Sequence, residues 1–169
     1  MFTGQDYSQL SKNIFYELLY RQAEALLRDE RDFIANMANL AALLFTALDK
    51  VNWVGFYRLL GDAELILGPF QGNPACVRIK VGQGVCGSSV AQKRSLIVPD
   101  VHRFAGHIAC DSATNSEIVV PLFAKGKIVG VLDVDSPEFD RFDDRDRREL
   151  EKIVSLLMRY SELPPLNNG

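Results

Sequence analysis

Apolar and polar positions follow a helical period at the two ends of the chain and a two-residue period between them. Apolar residues at helical spacing, with no internal glycine or proline, predict a first helix from Tyr7 to about Arg28. Asp32 has the position of an N-cap before a second apolar stripe, and Asp143 has that position before a last one. The sequence therefore predicts helices at both ends of the chain.

The middle of the chain alternates apolar and polar residues, as strands do when one face is buried. The alternation predicts strands over residues 51–60, 63–70, 77–81, 96–101, 117–124 and 127–135. A short helix is expected over residues 84–93. Helices at both ends and a largely antiparallel sheet between them predict an α+β fold whose helices pack on one face of the sheet.

Two segments stand out from this regular pattern. Residues 76–87 combine two of the three cysteines with Gly82 and Gly84. Such a segment indicates a backbone that bends sharply and that a small ligand can approach closely. The polar loop over residues 102–116 holds the third cysteine, Cys110, and loops of this length in a compact domain usually bind or cover something. We therefore expect the glycine-broken segment to form one wall of an active site.

Length and composition limit the function classes. The 169 residues, 47% hydrophobic and 24% charged, suit one domain over residues 1–169 with a frayed tail from about residue 163. A formal net charge of -3 gives no basic surface for nucleic acid. No apolar run is long enough to span a membrane, and the N-terminus lacks the features of a signal peptide. We therefore expect a cytoplasmic protein that binds neither nucleic acid nor membranes.

Three cysteines are an odd number, which argues against a set of structural disulfides. Their spacings, nine and twenty-three intervening residues, match no zinc pattern, so no metal is expected. Two interpretations stay open at this point. The cysteines are either small buried hydrophobes, which suits Cys86 at a helix start, or redox thiols, which suits Cys110 in its polar loop.

Three carboxylates are expected to meet at one end of the sheet. Asp133 and Asp135 end a predicted strand two residues apart, so they point to the same face, and Glu117 begins the partner strand. Partial burial of neighbouring acids raises the pKa of at least one of them, which can then act as a general acid. The alternative is a strand end that only reaches solvent, as most carboxylates do.

Two aromatic residues also share a face of the predicted sheet. Trp53 and Tyr57 are four residues apart on one strand. They are either ordinary core or the wall of a small apolar pocket, and the period alone does not decide between these roles.

Four motifs in combination resemble a known family. They are Trp53-Val-Gly-Phe-Tyr57, Cys76-Val-Arg-Ile with Gly82-Gln-Gly-Val-Cys86-Gly, the stretch from Cys110-Asp-Ser-Ala-Thr to Glu117-Ile-Val-Val-Pro, and Leu132-Asp-Val-Asp-Ser. Each motif alone is a weak signal. Together they make nearly the full chain similar to the free methionine-(R)-sulfoxide reductases, a family of GAF domains. The resemblance implies a GAF-like α+β fold.

The resemblance also implies a substrate and a set of cysteine roles. Free L-methionine (R)-sulfoxide is reduced to methionine, with thioredoxin as the usual electron donor. By the match of motifs, Cys110 is the attacking thiol, Cys76 is its resolving partner and Cys86 is a further recycling thiol. The division of roles between Cys86 and Cys110 stays open. A homodimer is expected by resemblance too, because many GAF domains pair through their terminal helices.

The acids and aromatic residues receive roles in the same way. Glu117, Asp133 and Asp135 match the acids that hold the substrate and protonate its oxygen, and Trp53 and Tyr57 match the wall that receives the S-methyl group. The chemistry agrees, because a thiolate attacks the sulfoxide sulfur, an acid protonates the oxygen, and a second thiol converts the sulfenic acid into a disulfide. Such a cycle is expected to need no metal, flavin or nicotinamide cofactor.

Two rival function classes remain. The first is a sensory GAF module that binds a small ligand and regulates a partner. GAF modules that bind a bilin typically have a histidine after their cysteine, whereas Asp111 follows Cys110 here. The second is a thiol peroxidase that uses the same cysteines on peroxide.

Overall fold

The structure, a computed structural model, describes residues 7, 9–106 and 112–163. Cys110 and the predicted tail beyond residue 163 lie outside these residues. Within the described ranges the chain forms four α-helices, six strands and one 3-10 turn. Their bounds are α1 (Lys12–Leu27), α2 (Phe33–Ala47), β1 (Trp53–Leu60), β2 (Glu64–Gly72), β3 (Arg78–Lys80), α3 (Gly84–Gln92), β4 (Leu96–Val98), the 3-10 turn (Val101–Arg103), β5 (Ser116–Ala124), β6 (Lys127–Ser136) and α4 (Asp144–Tyr160).

The six strands found in the described residues form one sheet in the order β3-β2-β1-β6-β5-β4. Every neighbouring pair in this sheet is antiparallel, which confirms the predicted pairing. Lys125 and Gly126 connect β5 to β6 with φ values of 49° and 80°. Positive φ at both central residues is the requirement of a tight hairpin turn whose twist matches the strands. The hairpin therefore forms where the sequence predicted it.

Helices α2 and α4 pack on one face of this sheet and α1 packs against these two helices, which confirms the predicted α+β layers. The strand residues that face these helices are all buried: Val54, Phe56, Ile118, Val120, Leu122, Leu132 and Val134. Both predicted N-caps are present as well. The Asp32 carboxylate accepts a hydrogen bond from the Ala35 amide at 2.7 Å, and Asp143 forms a reciprocal capping box with Asp146.

Most element boundaries agree with the prediction to within two residues, and two differ by more. The first helix begins at Lys12 instead of Tyr7, because the Ser11 hydroxyl caps it by accepting a hydrogen bond from the Ile14 amide. Strand β4 has three residues and ends before Pro99. A proline has no amide hydrogen to continue a ladder, so the chain turns into the short 3-10 segment there.

Helix α3 covers the opposite face of the sheet, together with the loop between β2 and β3. Its buried apolar side chains are Val85, Cys86 and Val90. They pack with strand residues that alternate with those facing the other helices: Trp53, Tyr57, Val119 and Val131. The chain enters α3 through Gly82 and Gly84, whose φ values are 87° and 58°. These left-handed conformations suit glycine, and they produce the sharp bend that the sequence predicted. Among the described residues, no helix has the length and apolar character needed to cross a membrane.

Candidate active site

The strand register brings the three predicted acids to one end of one sheet face. Asp135 on β6 lies between two cross-strand neighbours, Trp53 on β1 and Glu117 on β5. Asp133, two residues earlier, lies on the same face between Gly55 and Val119. Directly opposed side chains in an antiparallel sheet are about 4.5–5.5 Å apart at Cβ. The two acids of β6 and the one acid of the neighbouring strand β5 therefore lie close together on this face.

Two of the acids are buried and contact the Cys86 thiol. Glu117 and Asp133 are only 6% and 7% exposed, whereas Asp135 is partly exposed. Cys86 projects from the first turn of α3 and is 3% exposed. Its Sγ atom donates a long hydrogen bond to Glu117 Oε1 at 4.0 Å. Helix α3 therefore closes a polar cluster over the sheet, and the alternative of a strand end that only reaches solvent does not hold for Glu117 and Asp133.

The burial of this cluster sets its protonation. Burial raises the pKa of Asp133 to about 6, while hydrogen bonds from Cys86 and Glu117 act in the opposite direction. Burial, together with the charges of Asp133 and Asp135, raises the pKa of Glu117 well above its usual value. Burial and the same Asp133 charge also raise the pKa of the Cys86 thiol. The pKa values of all three groups are therefore raised by burial, and each neighbouring negative charge favours the protonated form of Glu117 and of Cys86.

Aromatic residues of β1 and β2 form a wall beside the acids. The Trp53 ring stacks on Tyr57 at a centroid distance of 6.0 Å and on Phe70 at 5.4 Å. A Cβ atom added at Gly55 would come within 2.3 Å of the Trp53 ring and 2.5 Å of Phe70 Cβ. The glycine in the Trp-Val-Gly-Phe-Tyr motif therefore provides the space in which the indole lies flat over the strand.

The polar ends of these aromatic side chains hold the loop that carries Cys76. Tyr57 Oη donates to the Cys76 carbonyl at 3.0 Å, and Trp53 Nε1 donates to the Asn73 carbonyl at 3.0 Å. Cys76 is disulfide-bonded, whereas Cys86 is a free thiol. Cys76 and Cys86 are therefore in different redox states, although both border the same site.

The segment that contains Cys110 is attached to the sheet at both of its described ends. The Val101 amide donates to the Asn115 carbonyl at 2.9 Å, and the Asn115 amide donates to the Ser136 carbonyl at 2.8 Å. Thr114 is 4% exposed and its Oγ1 accepts a hydrogen bond from Asn52 Nδ2 at 3.2 Å. Cys110 itself lies outside the described residues, so its position relative to the acids stays a prediction.

These groups enclose a cavity of about 40 Å³. One water molecule needs roughly 10–15 Å³ by the same measure, so the cavity accommodates only a small ligand. Six of the predicted site residues line it, namely Trp53, Tyr57, Cys86, Glu117, Asp133 and Asp135. The sequence did not single out several other lining residues, among them Asn73, Ile79 and Thr114. Ile79 and Thr114 lie in the two segments that the sequence marked as unusual, and this was the available signal for them, whereas Asn73 lies just before the first segment.

The described residues contain one group of donors able to hold a metal ion, formed by Cys86, Glu117 and Asp133. The ligand atoms of the three side chains lie within 4.8 Å of one another. They come from three separate elements, so the cysteine spacings that argued against a metal could not reveal them.

Comparison with known proteins agrees with this arrangement. The family model of the GAF domain matches residues 27–159. The chain is 53% identical to "Free methionine-R-sulfoxide reductase" of Escherichia coli over 148 residues, 88% of this chain and 89% of that protein. It is 41% identical over 157 residues to the protein of the same name from Saccharomyces cerevisiae, covering 89% and 87% of the two chains. A solved structure of free methionine-R-sulfoxide reductase from Neisseria meningitidis in complex with its substrate is 41% identical and superposes with a TM-score of 0.87, covering 94% of this chain and 95% of that one. The predicted GAF fold is confirmed.

Proposed function

Because the chain belongs to the free methionine-R-sulfoxide reductase family of GAF domains, we propose that it reduces free L-methionine (R)-sulfoxide to L-methionine. The observation that carries this function is that two buried acids, Glu117 and Asp133, line one small cavity beside the Trp53 ring. Such a cavity offers a proton for the sulfoxide oxygen, a negative charge for an ammonium group and an apolar surface for the S-methyl group.

The acids divide the polar work between them. Glu117 is the proton donor to the sulfoxide oxygen, since burial and two neighbouring carboxylates raise its pKa and so favour its protonated form. Asp133 and Asp135 hold the substrate ammonium. Asp133 Oδ1 is buried and lacks a hydrogen-bond partner among the described residues, which supports a role that only a bound ligand completes.

The aromatic wall selects for the methyl end of the substrate. Trp53 is held flat by Phe70 and Tyr57 and by its hydrogen bond to Asn73. A rigid apolar surface of this kind favours a methyl group over a charged one. The small cavity also favours the free amino acid. Methionine sulfoxide within a peptide is bulkier, and peptide bonds take the place of its free ammonium and carboxylate groups.

The cysteines carry the redox chemistry. The Cys110 thiolate attacks the sulfoxide sulfur, the oxygen takes a proton from Glu117, and methionine leaves as the oxygen is transferred to give a Cys110 sulfenic acid. The Cys76 thiol then attacks the Cys110 sulfur, so that a disulfide forms and one water molecule leaves. Cys76 is disulfide-bonded and Cys86 is free, which supports Cys76 as the resolving partner.

The enzyme returns to its starting state when an external dithiol opens this disulfide by thiol exchange. Thioredoxin is the electron donor by family resemblance. A further recycling role for Cys86 stays a prediction, and it would require the thiol to leave its buried position between Glu117 and Asp133.

One assay separates this function from its rivals. The purified chain is incubated with a dithiol and either methionine sulfoxide or hydrogen peroxide, and both methionine formation and peroxide consumption are measured. A reductase forms methionine catalytically and consumes peroxide slowly. Faster consumption of peroxide would identify a thiol peroxidase, and binding of the sulfoxide without turnover would identify a sensory module.

A further inference from the structure

Cys86, Glu117 and Asp133 surround one point with a sulfur donor and two oxygen donors. Their ligand atoms all lie within 4.8 Å of one another, and each residue is more than nine-tenths buried. Helix α3 and strands β5 and β6 each hold one of the donors, so the arrangement is fixed by the packing of the sheet. A thiolate with two carboxylates is a donor set that Zn²⁺ accepts.

The distances are close to those of a zinc site. Cys86 Sγ and Glu117 Oε1 are 4.0 Å apart. In a tetrahedral site, bonds of about 2.3 Å to sulfur and about 2.1 Å to oxygen place two such ligands about 3.6 Å apart. A small rotation of one side chain therefore brings these two atoms to the separation that two ligands of one zinc ion have.

One oxygen of Asp133 is left unsatisfied by the described residues, although the carboxylate accepts hydrogen bonds from Cys86 and Glu117. Its Oδ1 atom is buried and has no hydrogen-bond partner within the part of the chain that the structure describes, and the residue is 7% exposed. Leaving a buried carboxylate oxygen without a partner destabilises the folded state. A cation in the cavity that Asp133 lines would satisfy this atom.

We propose that Cys86, Glu117 and Asp133 form a three-ligand site for Zn²⁺ whose fourth position opens to the cavity. Zinc forms one bond to sulfur and two to oxygen, and a ligand atom that carries a proton releases it to the buffer as its bond to zinc forms. The three anionic groups thereby gain a common counter-ion.

The site implies that zinc inhibits the reductase by competition. Zinc binds Glu117 and Asp133, the carboxylates that contact the substrate in the proposed function. The ion and methionine sulfoxide therefore exclude each other. This consequence rests on the proposed function, whereas the zinc site itself rests only on the geometry of the three side chains.

The test uses the full chain with Cys76→Ser and Cys110→Ser, which leaves Cys86 as the only one of three cysteines. Co²⁺ serves as the spectroscopic probe, because a cobalt–thiolate bond gives a charge-transfer band, and Zn²⁺ is then added to displace it. We expect a band that saturates at one Co²⁺ per chain and that Zn²⁺ abolishes. Calorimetry in buffers of different ionisation enthalpy should report proton release as zinc binds.

Matched variants in the same background locate the site. Cys86→Ala should abolish the band, and Glu117→Gln or Asp133→Asn should weaken Zn²⁺ binding by at least about tenfold, since even loss of an outer partner costs that much. Asp62→Asn, in the exposed turn between β1 and β2, should bind as the parent does. A cobalt band that persists without Cys86, or no band with Cys86 present, would overturn the site.

Failure of the zinc site and failure of the proposed function are separable. If the double variant does not fold, the oxidised parent chain is titrated instead, since its Cys76 is disulfide-bonded and its Cys86 is free. Zinc binding without sulfoxide turnover would reject only the reductase function. Sulfoxide turnover that Zn²⁺ leaves unchanged, in a chain without the cobalt band, would reject only the zinc site.

Discussion

Glu117 and Asp133 owe their chemistry to what surrounds each side chain. Strand β5 places one and strand β6 the other on a face that α3 covers, so both carboxyl groups are removed from water. Asp135 has the same orientation on β6 but lies closer to the open end, where it is partly exposed. The three acids therefore have different environments and, we expect, different kinetic roles.

Substitution of single acids should separate these roles. Glu117→Gln removes the proton donor, so kcat should fall by about 10²–10⁴-fold, as is typical when general acid catalysis is lost. Asp135→Asn removes a partner of the ammonium group, so KM should rise with a smaller change in kcat. The measurement is steady-state kinetics of Glu117→Gln, Asp133→Asn and Asp135→Asn. Three variants with normal kinetics would mean that the substrate binds elsewhere.

At the scale of elements, the site is formed by the sheet together with the loop between β2 and β3. Hydrogen bonds from Tyr57 and Trp53 hold its backbone at Cys76 and Asn73. The cysteine thus has a fixed position next to the residues of this loop that line the cavity, Asn73, Pro74 and Ala75, which suits the resolving role proposed for it.

Cys76→Ser should therefore stall recycling more than the first chemical step. A single-turnover experiment without dithiol should still release about one methionine per enzyme and leave a sulfenic acid or an alternative disulfide. Quenched reactions analysed by mass spectrometry report both products. Loss of the methionine burst in this variant would remove the resolving role from Cys76.

The helical layer on the other face has a structural role that the site does not share. Tyr16 Oη of α1 donates to Asp146 Oδ1 of α4 at 2.6 Å, and Lys12 Nζ reaches the other oxygen at 2.8 Å. Asp146 is 1% exposed, so its carboxylate depends on these partners.

Tyr16→Phe should destabilise the fold without affecting catalysis. It leaves one buried carboxylate oxygen without its donor, which should lower the free energy of unfolding by about 1–3 kcal/mol. Denaturant unfolding and kcat/KM of the same preparation test this. Tyr160→Phe is the control, because its partner Glu24 is not buried and the loss should be smaller. A loss of activity that exceeds the loss of folded protein would connect the two faces.

For the whole molecule, the site acids and the helix cap give opposite dependences of stability on pH. Burial raises the pKa of Asp133 to about 6, so the folded chain binds this proton more tightly than the unfolded chain. The stabilisation is complete below the unfolded pKa of about 3.9 and is lost as the pH rises through about 6. Asp143 behaves in the reverse way, because the hydrogen bond from Lys12 lowers its pKa to about 2. Its contribution is present above a pH of about 4 and is lost as the pH falls towards 2.

Asp133→Asn should consequently be more stable than the parent at alkaline pH. The advantage should reach about 1 kcal/mol or more, which corresponds to roughly 2–4 °C in Tm for a chain of this size. It should disappear as the pH is lowered from about 8 to about 4, because the parent carboxyl group then becomes neutral as well. Calorimetric Tm values of both proteins across this range test the prediction. A difference in Tm that does not change with pH would mean that Asp133 is not a buried titrating group.

Much of this architecture could be read from the sequence because it depends on local signals. The caps Asp32 and Asp143, the hairpin at Lys125 and the shared face of Asp133 and Asp135 each follow from residues near one another in the chain. The contact of Cys86 with Glu117 could not be read in this way, since thirty-one positions separate them. It depends on how α3 folds back over the sheet, and the burial of the Cys86 thiol beside two acids depends on the same packing.

The central claim is that the chain uses cysteine chemistry to reduce one epimer of free methionine sulfoxide. The most direct measurement supplies the separated (R) and (S) epimers to the purified chain with a dithiol donor and quantifies methionine by chromatography, with Cys110→Ser as the matched control. We predict catalytic methionine formation from the (R) epimer, little from the (S) epimer and none from either epimer with Cys110→Ser, because the attacking sulfur is absent. Equal turnover of both epimers, or methionine formation by the Cys110→Ser variant, would contradict the account.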